Sequence, residues 1–137
     1  SMMNAGYRNS SIYGMLGYFK LLRNDDLDET TKLCEEAYDY NSDDRDIKDN
    51  LSICYFRKGE YEKAEKISDE LVGSAPNFVE GFYHGIQIAM KLNKYDKAAE
   101  YAEKLKECKR SGMTTVTEEE VNKLIQEVKN HNENTIG

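Results

Sequence analysis

Gly59-Glu60-Tyr61-Glu62-Lys63-Ala64 is answered 34 residues later by Asn93-Lys94-Tyr95-Asp96-Lys97-Ala98. The correspondence continues downstream from Leu71 to Leu105. Upstream, Leu27, Thr30 and Ala37 stand 34 residues before Tyr61, Ala64 and Leu71. That interval is the period of stacked helix–turn–helix units, in which each unit buries its apolar face against the next. The expected architecture is therefore an all-α solenoid, and the expected work is interaction with other proteins.

The clearest unit runs from about Asp44 to Pro76. Ile47, Leu51, Cys54 and Tyr55 recur at helical intervals of three and four. Arg57-Lys58-Gly59 closes this helix, with cations near its negative end and a glycine suited to a left-handed cap. Tyr61, Ala64, Ile67, Ser68 and Leu71 form the stripe of the second helix, which Gly73-Ser74-Ala75-Pro76 ends. In the next unit Phe82, Gly85, Ile86, Ala89 and Met90 share a side, Asn93 makes the turn, and Tyr95, Ala98, Ala102 and Leu105 follow. An earlier and less regular unit carries Tyr13, Leu16, Gly17 and Leu21, then Leu27, Leu33, Cys34, Ala37 and Tyr38. Thr117-Glu118-Glu119-Glu120 reads as a capping box. Val121, Leu124, Ile125 and Val128 then give one apolar stripe with no second helix to match it. This predicts a helix that caps the array. The expected organisation is a flexible segment over 1–10, three repeats over 11–110, a connection and capping helix over 111–131, and a frayed tail over 132–137. That makes seven helices and no sheet.

The chain has 137 residues and a net charge of −7. From Asn24 to Asp49 there are eleven acidic residues against three basic ones, a local net of −8. Such a block repels a phosphate backbone and argues against nucleic acid, while it can attract and orient a basic partner. No apolar run approaches the length of a membrane span. Ser1-Met2 reads as a remnant of tag removal, so an excised domain is expected, with a targeting signal or anchor elsewhere left open. Cys34, Cys54 and Cys108 are widely spaced and odd in number, which suits small buried hydrophobes in a reducing compartment better than a disulfide framework or zinc site. An intracellular, cytoplasmic setting is expected.

The middle unit resembles a tetratricopeptide repeat (TPR). Leu51, Tyr55, Gly59, Tyr61, Ala64 and Pro76 match the family pattern, whereas Lys48, Ser52, Ser68 and Leu71 depart from it. The following unit keeps Phe82, Tyr95 and Ala98, and the first keeps Tyr13, Leu16 and Gly17 if one residue is inserted before its turn. The resemblance covers about Ser11 to Arg110. These positions are steric: alanines where helices cross and tyrosines between repeats.

The resemblance implies a concave groove lined by the first helix of each repeat. It places Asp46, Asp49, Asn50, Ile53, Phe56 and Arg57 there in the second repeat, and Glu80, Tyr83, His84, Gln87 and Lys91 in the third. Tyr18 and Phe19 are candidates from the first. Aromatic, amide and acidic groups together suit an extended or helical peptide, and the charge suits a basic one. Domains that hold the acidic tail of cytosolic heat-shock chaperones use Lys and Asn in the first repeat, Asn in the second, and Lys and Arg in the third. Asn50 fits the second-repeat place, but Glu80 and His84 stand where cations would, so that ligand is not expected. A weaker resemblance, carried by Asn24-Asp25-Asp26-Leu27 and Glu60-Tyr61-Glu62-Lys63-Ala64, is to the TPR-like mitochondrial fission adaptors. Self-association into a homo-oligomer is the other alternative. No metalloprotease motif, phosphate loop or nucleophile elbow occurs, and Asp25-Asp26 and Asp43-Asp44 read as helix-start residues. The chain is expected to be a non-catalytic scaffold or adaptor with no cofactor and no metal.

Overall fold

The computed structural model describes residues 26–109 and 114–136, and among them it holds six helices and no strand. They are α1 (Leu27–Tyr40), α2 (Arg45–Arg57), α3 (Tyr61–Ser74), α4 (Val79–Lys91), α5 (Tyr95–Glu107) and α6 (Glu118–Ile136). The helix expected near Tyr13 to Leu21 lies outside the described residues, as do Tyr18 and Phe19.

Local chemistry sets the helix ends. Asp26 accepts from the Asp28 amide at 3.0 Å, and Asp44 from the Asp46 and Ile47 amides at 2.9 and 3.1 Å. These carboxylates satisfy amides that have no partner within their helix. The two tight turns are built alike. Gly59 N–H donates to Phe56 O and Glu60 N–H to Tyr55 O; 34 residues on, Asn93 N–H donates to Met90 O and Lys94 N–H to Ala89 O. Gly59 takes φ +81° and Asn93 φ +60°, the left-handed geometry such a turn demands and that glycine and asparagine tolerate best. The capping box at α6 is formed in both directions: Thr117 N–H donates to Glu120 Oε1 at 3.1 Å, and Glu120 N–H donates to Thr117 Oγ1 at 3.1 Å.

The helices stack in two rows. In one, α2 packs on α4 and α4 on α6; in the other, α1, α3 and α5 stand further apart and are bridged by long side chains. Tyr38 donates to Glu70 at 2.6 Å and Tyr101 to Asp69 at 3.0 Å, each pair 32 residues apart. Lys94 and Lys97 both reach Glu65, at 2.7 and 3.0 Å.

The core is a chain of clusters. Cys34, Leu51, Cys54 and Ile67 join α1, α2 and α3. Val79, Phe82, Ile86, Ala89, Ala98, Tyr101, Ala102 and Leu105 join α4 to α5, and Val116, Leu124 and Val128 extend that cluster into α6. The alanines at the repeat crossings, Ala64 and Ala98, are fully buried. At Gly85 a Cβ would stand 3.1 Å from both Ser68 Oγ and the Tyr101 ring, so the missing side chain permits the close approach of α4 to both neighbours. Cys34 and Cys54 are free and buried with their sulfurs 3.8 Å apart; Cys108 is half-buried. The helix α6 continues to Ile136, past the end expected near residue 131, and His131 stacks on Tyr95 with ring centroids 3.7 Å apart.

Candidate partner-binding groove

All the candidates on these two helices except Phe56 fall into pairs one period apart: Asp46 with Glu80, Asp49 with Tyr83, Asn50 with His84, Ile53 with Gln87, and Arg57 with Lys91. Equivalent positions on stacked α2 and α4 form a common face. The contact that joins the two halves lies one residue off this register. Asp49 Oδ1 sits 2.7 Å from His84 Nδ1, across 35 residues.

The members differ in how open they are. Asp46, Arg57 and Lys91 are exposed, and Ile53, Phe56, Tyr83, His84 and Gln87 are half-buried. Asp49, Asn50 and Glu80 are buried, at 7%, 4% and 7% exposure. Phe56 leans on Tyr61, with ring centroids 5.5 Å apart. Tyr83 packs against the α4–α6 cluster, and its hydroxyl is pushed up by burial and by Glu120 and Glu127 of α6. Its ring therefore borders the capping helix as well as the groove.

Electrostatics concentrate at the Asp49–His84 contact. Burial pushes the imidazole down. The charge and hydrogen bond of Asp49, then the charge of Glu80, outweigh it even with Arg57 opposing, so His84 ends above its ordinary pKa. Glu80 is pushed up by desolvation and then by the Asp49 charge, with a further push from Asp46. Asp46 is raised by desolvation and by Asp44 and Asp49. All three hold protons more tightly in the folded chain. For His84 the sign is that of a raised folded pKa: its contribution is complete below the unfolded value and is lost as pH rises through the folded one. Raising the pH from about 6 to about 8, across the histidine range, should lower the urea midpoint of the wild type and leave His84→Gln nearly flat. Parallel curves for the two proteins would remove His84 as the titrating group.

Sequence reading placed these residues on one face but did not reveal the Asp49–His84 bond, whose spacing of one period plus one is its only signal. It also missed Ile88, 2% exposed and one turn beyond His84 in the row begun by Glu80. A cleft of about 610 Å³ lies elsewhere, between α3 and α5. Within it Lys97 and Tyr101 both bond Asp69, at 2.7 and 3.0 Å.

Residues 21–81 match the family model described as the tetratricopeptide repeat. The crystal structure of the Sgt2 TPR domain from Aspergillus fumigatus is similar at 17% identity and a TM-score of 0.78, with 92% of this chain and 80% of that one covered. The first TPR of Spaghetti (RPAP3), solved with the HSP90 peptide SRMEEVD, is similar at 14% identity and a TM-score of 0.74, with 89% and 91% covered. YrrB, a TPR protein with an unusual peptide-binding site, gives 13% identity and a TM-score of 0.72 over 92% of this chain and 61% of that one. No curated protein matches the sequence.

Proposed function

We propose that this chain, whose residues 21–81 match the tetratricopeptide repeat model, is a non-catalytic adaptor that holds a segment of another protein against the α2–α4 face. The observation that carries the reading is the Asp49–His84 bond at 2.7 Å, which ties together groove positions of consecutive repeats. Around it stand an accessible amide at Gln87, aromatic rings at Phe56 and Tyr83, and charges at the rim. That mixture suits a polypeptide, with main-chain bonds to amides and side chains set against rings.

Similar structures bind peptides, but the chemistry differs. The Spaghetti domain was solved with SRMEEVD, which carries three acidic residues among its last four. Here Asp46, Asp49 and Glu80 occupy the face, and an acidic tail would meet carboxylates. A neutral or basic segment is the better complement, with the acidic residues speeding and orienting encounter in a salt-dependent way. No helix among the described residues is long and apolar enough to cross a membrane.

Two substitutions test the reading. Gln87→Arg fills the face with a cation, and Phe56→Ala removes a ring. Loss of a hot-spot aromatic costs about 2 kcal/mol, close to thirtyfold in affinity. Partners captured by the wild type, identified by mass spectrometry and remade as peptides, should bind both variants at least about tenfold more weakly while circular dichroism is unchanged. Undiminished affinity in both folded variants would move the working surface away from this face.

A further inference from the structure

We propose that Cys34 and Cys54 are a dithiol that hydrogen peroxide oxidises to a disulfide, stapling α1 to α2 within the folded array. The proposal does not depend on the groove reading.

The central observation is the contact between the two sulfurs, 3.8 Å apart across 20 positions of chain. Cys34 is 3% exposed and Cys54 is fully buried. A disulfide holds its sulfurs about 2.0 Å apart, so the pair falls short of bonding by about 1.8 Å, the scale of a side-chain rotation. Leu51 and Ile67 complete the buried cluster, with Tyr38, Ile53 and Tyr55 packed against it. The third cysteine is no competitor: Cys108 ends α5, and its sulfur lies 3.4 Å from Lys104 O.

The two thiols are not equivalent. The hydrogen bond between the sulfurs is the largest influence on both, and it pulls the Cys54 pKa down and pushes Cys34 up. Burial raises both. At Cys54, Thr31 and the charges of Arg57 and Lys58 then side with the ionised form, so this thiol ends below its ordinary value. Cys54 is thus the thiol that ionises and attacks, and Cys34 keeps its proton as the resolving thiol.

Peroxide suits a site with this apolar lining, being small and uncharged. The Cys54 thiolate displaces hydroxide from it and becomes a sulfenic acid; the hydroxide takes up the proton that Cys54 released and becomes water. The Cys34 sulfur then attacks the Cys54 sulfur, the S–O bond breaks, and hydroxide leaves with the Cys34 proton as a second water. The two thiols lose two electrons and peroxide gains two. Entry needs a brief separation of α1 from α2. Among the described helices α1 packs on α2 and reaches α3 through side chains such as Tyr38, so that separation disturbs less than global unfolding does.

The test is the intact chain incubated with hydrogen peroxide, then alkylated and mapped by peptide mass spectrometry. The expected product is a Cys34–Cys54 linked peptide, two hydrogens lighter than its parts. Helical circular dichroism should be unchanged, and the urea midpoint should rise and fall back on reduction with dithiothreitol. Cys34→Ser should stop at a Cys54 sulfenic acid that dimedone labels, whereas Cys54→Ser should label at Cys34 more slowly. Thiols that stay free in the folded chain under peroxide that links them in urea would overturn the proposal. So would a link to Cys108 instead, a link that lowers the midpoint or the helical signal, or equal labelling of the two variants. The crosslink is read on the unmutated chain, so it decides the matter even where a serine variant does not fold.

Discussion

Deleting residues 117–137 should lower stability by about 5 kcal/mol and leave an apolar surface that aggregates. Leu124 and Val128 are 6% and 3% exposed, and burial of such side chains is worth roughly 1.5–3 kcal/mol each. Val121 and Ile125 add partial burial, and the Tyr95–His131 stack is lost as well. Against a typical domain stability of about 5–15 kcal/mol this is a large fraction. Val116, Leu105 and Ala102 would face water, the usual fate of a repeat array stripped of its terminal helix. A thermal melt by circular dichroism and light scattering at rising concentration decide it. An unchanged melting point with no aggregation would show that α6 is an appendage rather than a cap.

Residues that act through local rules were legible in the sequence. The turn at Asn93 was readable from the one at Gly59, because left-handed backbone admits few residue types. The carboxylates Asp26 and Asp44 and the Thr117–Glu120 pair were readable as caps, because capping is settled within four residues of chain. The shared face of α2 and α4 was what the family resemblance implied, and the period only pairs its positions. What could not be read was how far each side chain on that face is covered. Asp49 and Asp46 are the same residue type three positions apart, but one is buried against His84 and the other open. That difference comes from the angle between stacked helices, which no spacing encodes. The burial of Glu80 on that face is likewise a property of packing. At the other end, polar composition alone marked the Asn-rich terminus as frayed, and it carried no sign of the His131 stack on Tyr95 or of a helix that runs to Ile136.

Phe82→Ala should cost about 3 kcal/mol, the lower end of the 3–5 kcal/mol range for such truncations. The ring is 2% exposed and meets Tyr101 edge-on, with centroids 5.6 Å apart and planes at 78°. It lies in the cluster that holds α4 to α5 and, through Leu124 and Val128, to α6. Phe82 also lines the cleft between α3 and α5, so the space it vacates would open to solvent and water could enter. Water in the void spares part of the cavity term but leaves the lost apolar burial and ring contact, hence a value near the bottom of the range. Phe82→Leu keeps most of the volume and should cost less than half as much. Because stacked repeats couple through nearest-neighbour contacts, amide exchange should quicken first in α4, α5 and α6, while α2 and α3 keep more of their protection. That order bears on the groove. Glu80 and His84 ride on the same helix as Phe82, so loosening α4 should separate His84 from Asp49 before α2 itself opens. A urea series on both variants, with the imidazole resonance of His84 followed alongside, tests the chain of contacts. If Phe82→Ala unfolds all helices together and the His84 pKa stays raised up to the transition, the array is one cooperative unit and the groove does not depend on this anchor.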